Sequence, residues 1–376
     1  MAEMTEHLDK LNELNKRISL HEKITATHTS MNEIFPFIAR IAIAIYDSDT
    51  GLIKTYLHSS GDKNPLAHYQ AYLSDVPSLK QIVDKGLPRV INNFLTFENS
   101  GNEHTIRIAR QGYVASYTLP MFKDGEFFGF VFFNSNERNV FTESVLRQID
   151  IYGHLISLMV INESNVINTL TAAVKTTGKI THLRDPETGS HLDRMSRYSR
   201  LIAMKLADEF NLSDDFIEHI FMFSPLHDIG KIAIPDSVLL KPGKLNDREK
   251  DIMQTHARMG CEIIDDLLKN FDLESIEYID MLRNIIEFHH ETMNGRGYPS
   301  GIEGDGIPIE ARIVAVADVF DALTSVRPYK EAWSNEKACT LLKGLAGETL
   351  DESCVNALLS NMKEVEDIQK CFHDCL

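Results

Sequence analysis

MLRNIIEFHHETMNGRGYP, from Met281 to Pro299, joins a helical apolar pattern to two adjacent imidazoles, an acid and a glycine-rich turn carrying one aromatic. The apolar residues stop at His289 and His290, which therefore end a helix whose inner face is buried. Upstream, HDIGK sets His227 beside Asp228 with Lys231 just behind. It follows FMFSPL, an apolar helical face that turns both side chains toward an interior. Downstream, Asp318 closes the apolar run IVAVA, and Asp321 follows in ADVFDAL. His256 stands in the helical segment HARMG. Glu187 and His191 are four apart in DPETGSH, where one helical turn aligns them. Neutral nitrogens with hard oxygens suit Fe, Mn or Zn better than Mg or Ca.

An HD dipeptide alone says little in a chain with 15 histidines. His373-Asp374 is the same pair with no chemistry around it and reads as a solvated tail. His227 and Asp228 could also hydrogen-bond each other inside an ordinary core. The company they keep argues otherwise, because a buried carboxylate is costly without a cation. Glu187, His191, His227, Asp228, His256, His289, His290 and Asp318 are the candidate ligands. A single ion takes about four to six donors, water included. This set, with one carboxylate bridging, therefore points to at least two ions, which can clamp the attacking and leaving oxygens of a phosphoryl group.

Bulk properties set limits. The 376 residues, 43% of them apolar, suffice for two domains with real cores. No apolar run of bilayer-spanning length is expected. MAEMTEHLDK lacks the layout of a signal peptide. Five cysteines without zinc-site spacing fit reduced thiols in a cytoplasm. A formal charge of −17 disfavours nucleic-acid polymers and anionic membranes, so an anionic substrate needs locally clustered cations.

Three grammars follow one another. Residues 1–32 carry Leu8, Leu11, Leu14 and Ile18 at helical spacing. Residues 33–142 read as an α/β domain: PFIARIAIAIYDSDTG and LIKTYLHSS as two strands, SDVPSLKQIVDKG as a short helix, and YVASYTLPMFKDGEFFGFVFFNS as a hairpin turning at Asp124-Gly125. A helix is expected over residues 143–180. In it Ile149, Ile156 and Leu170, and Val160, Ile167 and Val174, recur at seven-residue spacing, broken by Gly153 and Glu163. It reads either as a connector packed on one domain or as a parallel dimer seam joining a sensor to an output domain. Residues 181–376 are helical throughout, apart from proline- and glycine-marked turns.

RDPETGSH, HDIGKIAIPD, HARMG, HHETMNGRGYP, IPIEARIVAVADVFDALTS and RPYK, in this order, resemble the HD-GYP family of the HD phosphohydrolase superfamily. The resemblance covers residues 170–376. It implies an all-α domain that hydrolyses cyclic di-GMP through a metal-bound hydroxide, giving linear pGpG and, after a second cut, GMP. It carries His191, His227, Asp228, His256, His289, His290 and Asp318 over as metal ligands, with Asp228 the bridge and catalytic together with Lys231. Glu187 is the variable position, where a carboxylate goes with a third ion, so three Fe or Mn ions are favoured. Lys231, Arg312, Arg327, Lys330 and Tyr298 are the expected substrate contacts; Tyr298 could equally be packing, and Arg296 is expected on the surface. Asn294 stands where the family usually has Asp, and Lys330 where it often has Arg. Residues 33–160 resemble a GAF module more weakly. No motif there fixes a ligand, and His58, His68 and His104 read as surface residues. The implied whole is a cytoplasmic homodimer: a multidomain α+β chain with a GAF-like sensor of unknown or no ligand, a long helix and an all-α HD-GYP domain. Two rivals remain. One is a catalytically weak cyclic di-GMP receptor, which should have lost ligands; the other is an HD nucleotidase, which the GYP loop and RPYK disfavour.

Overall fold

The computed structural model describes residues 12–60, 66–94, 108–182, 189–270, 278–325 and 332–373. The chain divides into two compact units, residues 1–165 with 213–215, and residues 166–212 with 216–376.

The first unit is built on an antiparallel sheet. Its strands are β1 (Ile38–Asp47), β2 (Leu52–Ser60), β3 (Gln70–Tyr72), β4 (Arg89–Ile91), β5 (Ala115–Lys123) and β6 (Glu126–Ser135), in the order β3-β2-β1-β6-β5-β4. The Asp47 carboxylate closes the β1–β2 turn by accepting from the amides of Asp49 and Thr50. At the β5–β6 hairpin, Asp124 and Gly125 both take positive φ, 52° and 89°, as a tight hairpin turn requires. Strand alternation sorts the side chains. Ile41, Ile43, Leu119 and Phe133 pack under helices α1 (Leu20–Ile34) and α3 (Glu143–His182), whereas Ala44, Ile53 and Phe130 pack with α2 (Pro77–Lys85) on the other face.

Two expectations shift. Of the stripe Leu8, Leu11, Leu14 and Ile18, the first two lie outside the described residues, Leu14 sits in a 3₁₀ turn and Ile18 precedes the helix that forms. Regular helix begins after Ser19, because Ser19 and Glu22 form a reciprocal capping box that satisfies the first amides. The heptad positions of α3 also have another use. Ile149, Ile156 and Val160 are buried in the core of the first unit, and Ile167 in that of the second. Gly153 is a close approach to the sheet: a Cβ there would lie 2.6 Å from Leu119 Cδ2. The side chains of Leu170 and Val174 lie outside the described residues. What α3 leaves to solvent is a different pair, Ile151 and Leu158, 69% and 66% exposed and again seven apart. Contrary to the expectation, residues 143–169 of α3 are long and apolar enough to cross a bilayer by length and composition.

The second unit is helical: α4 (Gly189–Phe210), α5 (Asp214–Phe223), α6 (Asp236–Leu239), α7 (Asp247–Gln254), α8 (His256–Asn270), α9 (Ile279–Phe288), α10 (Ile309–Thr324), α11 (Asn335–Leu345), α12 (Glu352–Leu359) and α13 (Met362–Cys371). Helix α10 is the axis of its core, with every residue from Glu310 to Ala317 buried. A helix apolar all round must be enclosed by others. Cys261, Cys339, Cys354 and Cys371 are free thiols.

Candidate metal centre

Five segments bring the candidate ligands to one point in the second unit. His191 comes from the first turn of α4, and His227 and Asp228 from the short 3₁₀ segment after α5. His256 opens α8, His289 and His290 follow α9, and Asp318 lies on α10. A pair of glycines makes the convergence possible. A Cβ on Gly230 would lie 1.8 Å from the His256 carbonyl oxygen, and one on Gly260 would lie 2.6 Å from Ile286. Side chains at either position would push α8 away and take His256 with it.

The donor atoms fall into two groups, Asp228 with His256, His289 and His290, and His191 with His227 and Asp318. Asp228 stands where they meet: its Oδ1 is 3.1 Å from His256 Nε2 and 3.7 Å from His289 Nε2, while its Oδ2 is 3.1 Å from His227 Nε2. Asp318 Oδ1 lies 3.9 Å from His227 Nε2 and 4.0 Å from His191 Nε2.

The opposite edges of the rings set the tautomers. Nδ1 of His227 donates to the Ser224 carbonyl (2.9 Å), that of His256 to Met253 (2.8 Å) and that of His289 to Ile285 (2.9 Å). A carbonyl only accepts, so each Nδ1 carries the proton and each Nε2 presents a lone pair inward. Burial lowers the pKa of His289, and lowers that of His290 further with help from its neighbour His289. Burial opposes ionisation of Asp228, yet Lys231, His227 and His256 together hold its carboxyl well below the usual range. Asp228 is thus held as an anion, and burial disfavours the charged forms of His289 and His290 beside it. The buried Nε2 atoms of His256 and His289 and Oδ1 of Asp228 make no hydrogen bond. Buried polar atoms in a folded protein nearly always have partners, and nitrogen lone pairs beside a carboxylate oxygen fit a divalent transition metal.

Sequence reasoning passed over the support of this cluster. Asp321, 0% exposed, accepts from His191 Nδ1 (2.7 Å), from Arg194 Nε (2.7 Å) and from Ser325 Oγ (2.8 Å). Arg194 also donates to the Phe372 carbonyl, tying in the end of the chain. The signal was available, since Arg194 follows His191 by three residues and Asp321 follows Asp318 by three, each pair on one helical face. Glu291 was missed too. Its Oε1 accepts from the amides of Ser300 (2.7 Å) and Gly301 (3.0 Å), folding the glycine-rich loop back onto the histidines. Gly297 permits this fold, because a Cβ there would fall 2.4 Å from Glu291 Cα. Asn294 closes the same loop through Oδ1, which accepts from Thr292 Oγ1 and the Arg296 amide.

The expected substrate contacts separate. Lys231 Nζ is 2.7 Å from Asp228 Oδ2, at the centre. The Tyr298 ring lies against His290 with centroids 4.7 Å apart, so it packs on a candidate ligand. Arg312 needs correction: its Nη1 donates to Asp305 and to Asp351 (3.0 Å each), and Asp351 caps α12. A buried guanidinium committed to two carboxylates braces helices and is not available to substrate. Arg296 is exposed. Glu187, Arg327 and Lys330 lie outside the described residues, as do His104 and Asp374. His373 is exposed; its ring bonds to the Lys370 carbonyl, and its own carbonyl accepts from Ser190 Oγ at 3.5 Å. His58 is half-buried against Ser60, and His68 is half-buried as well.

Residues 184–354 match the HD domain family. Over 185 residues the chain is 46% identical to the cyclic di-GMP phosphodiesterase response regulator RpfG of Xanthomonas campestris pv. campestris, covering 49% of this chain and 46% of that one. This stretch is similar to the HD domain, and relatives named cyclic di-GMP phosphodiesterases match the same half of the chain. A cyclic di-GMP phosphodiesterase of Thermotoga maritima is 37% identical over 191 residues, covering 51% of this chain and 49% of that one. The 3'3'-cGAMP-specific phosphodiesterase 2 of Vibrio cholerae is 34% identical over 261 residues, 65% of this chain and 48% of its own. The chain thus spans about half the length of the curated relatives it matches. The GAF domain of an Acinetobacter phosphoenolpyruvate-protein phosphotransferase superposes with a TM-score of 0.34 at 12% identity, covering 44% of this chain and 96% of that one.

Proposed function

We propose that the HD domain is a metal-dependent phosphodiesterase that opens cyclic di-GMP to linear pGpG, with GMP the product of a second cut. The observation that carries this reading is the buried meeting of two donor groups at Asp228, with the Lys231 ammonium 2.7 Å from the same carboxylate. His191, His227 and Asp318 would hold one ion and His256, His289 and His290 another, with Asp228 between them; Glu187 would add a third. Fe and Mn both suit this donor set. Bound ions supply positive charge for phosphoryl oxygens and lower the pKa of water at the site.

The chain's own residues do the rest. Asp228 stays ionised and burial disfavours protonation of His289 and His290, so these donors keep their affinity for cations near neutral pH. Lys231 offers N–H donors to a phosphoryl oxygen, and Arg327 and Lys330 add charge for phosphate or guanine edges. Tyr298 and His290 form one apolar wall. Phosphodiesterases of cyclic di-GMP among the relatives support this substrate, and the complete donor set disfavours a receptor without turnover.

The first unit is read as a regulatory module and the whole as a cytoplasmic homodimer, with the exposed Ile151 and Leu158 of α3 as the seam. Anaerobic incubation of metal-loaded protein with cyclic di-GMP and, separately, 3'3'-cGAMP, followed by chromatography, tests the reaction. Conversion of cyclic di-GMP to pGpG is the expected result. Turnover of 3'3'-cGAMP alone would move the substrate to the chemistry named for the Vibrio relative. Tight binding of cyclic di-GMP without any product would favour the receptor.

A further inference from the structure

His191 is the third residue of α4, which begins at Gly189. The first amides of a helix have no partners within it, so its first turn frays unless other groups anchor it. A metal ligand placed there depends on such anchors, because its ring moves with the turn that carries it. Asp321 supplies one anchor from α10. The segment that follows α13 supplies others. Ser190 Oγ donates to the His373 carbonyl (3.5 Å) and Arg194 Nη1 to the Phe372 carbonyl (2.8 Å), and the Arg197 guanidinium lies 4.0 Å from the centroid of the Phe372 ring. Positions 190, 194 and 197 are four and three apart and share one face of the helix. Phe372 and His373 therefore run along that face, beside the ligand.

The Arg194 contact reaches the ligand through one rigid group. Its guanidinium meets the Phe372 carbonyl on one side and, on the other, the same Asp321 carboxylate that accepts from His191 Nδ1. Arg194 is also held by Ser325 at the end of α10. A guanidinium is a planar fork, so turning one edge turns the others. The Arg197 contact fixes Phe372 in turn. The ring is half-buried between the exposed Cys371 and His373, and it lies over a cation that also faces the Phe221 ring of α5 at 5.4 Å. Cation and aromatic face attract each other, which holds the backbone of Phe372 where its carbonyl meets Arg194.

We infer that Phe372 is a positioning residue for His191: its ring and carbonyl clamp the first two turns of α4 and thereby hold Arg194, Asp321 and the His191 imidazole in one arrangement. The consequence for metal rests on His191 being a ligand, as proposed above. The consequence for the start of α4 does not.

Two measurements on the parent chain, Phe372→Ala, Phe372→Tyr and a form stopped after Cys371 test it. Hydrogen exchange of the metal-free proteins, read by mass spectrometry, should quicken over residues 190–197 in Phe372→Ala and in the shortened form. Residues 256–264 of α8 should exchange as in the parent. Titration of the metal-free proteins with manganese should show one ion bound about tenfold more weakly in the same two variants, the lower end of what partners of ligand histidines contribute. The other ions should bind unchanged, and Phe372→Tyr, which keeps the ring, should match the parent in both measurements. Phe372→Ala stands as the test if the shortened form does not fold. Unchanged exchange over residues 190–197 would overturn the clamp. Faster exchange in α8 as well would make Phe372 a general support of the fold and overturn its positioning role. Faster local exchange with every manganese affinity unchanged would overturn its action on His191. A parent that binds no manganese fails the metal-centre reading, and local exchange then confirms or overturns the clamp by itself.

Discussion

At the scale of single residues, the centre depends on two aspartates in opposite roles. Asp228 offers one oxygen toward each donor group, so removing its charge disturbs both. Asp228→Asn should lower bound metal by more than one ion per chain and bring turnover to background. His373→Ala, in the decoy pair, should change neither. Elemental analysis alongside the assay checks both, and retained metal in Asp228→Asn would remove Asp228 from the ligand set. Asp321 sits one shell out and fixes the ring of His191 while neutralising Arg194. Partners of ligand histidines typically contribute about 10–100-fold in affinity or activity. Asp321→Asn should therefore cut turnover by about that factor. It should also cost about 3–5 kcal/mol of stability, because Arg194 stays buried with its ion pair broken. Denaturant unfolding measured beside turnover separates the two effects.

At the scale of elements, close packing decides which groups meet. Gly230 lets the segment after Asp228 lie on the first turn of α8, and a methyl group there meets backbone, which cannot swing aside. Gly230→Ala should destabilise the domain by about 1–3 kcal/mol, the usual cost of overpacking, and lower metal content by displacing His256. Thermal melting with elemental analysis reads both. Helix α1 is pinned by His28, whose ring lies between Ser59 Oγ (2.8 Å) and the Ile38 carbonyl (2.9 Å). With the ring neutral, the carbonyl takes the Nε2 proton and Nδ1 accepts from Ser59. Burial depresses its folded pKa below the ordinary 6.5. Between the two values the unfolded chain binds more protons. The contribution is thus complete above pH 6.5 and is lost as pH falls through the folded pKa. Unfolding free energies from pH 8 to pH 5 should fall less steeply for His28→Gln than for the parent. Parallel profiles would show that His28 does not titrate on unfolding.

At the scale of the whole molecule, α3 belongs to both compact units, and its exposed large apolar residues among those described are Ile151 and Leu158. Of the residues first read as a seam, Ile149, Ile156, Val160 and Ile167 are spent inside the cores of their own units. A dimer through this helix must therefore use the opposite face. Ile151→Glu with Leu158→Glu should turn a dimer into monomers in sedimentation velocity, with metal content unchanged, because both residues belong to the first unit and the described ligand candidates to the second. A parent chain that sediments as a monomer at micromolar concentration would remove the dimer.

Chain order alone determined the fold classes of the two halves and the seven described ligand candidates. Helical and alternating periodicity, the Asp124-Gly125 turn and the spacing of His and Asp around buried runs are local properties, written in neighbouring residues. Only the tertiary structure decided what depends on residues far apart meeting in space. It paired Asp321 with His191 and Arg194, committed Arg312 to Asp305 and Asp351, and started α1 at the Ser19 cap. It also assigned one face of α3 to the sheet. A heptad stripe looks the same whether the surface that covers it belongs to a second chain or to the same one, and an arginine looks the same whether it meets substrate or carboxylate. Packing between distant segments makes that choice.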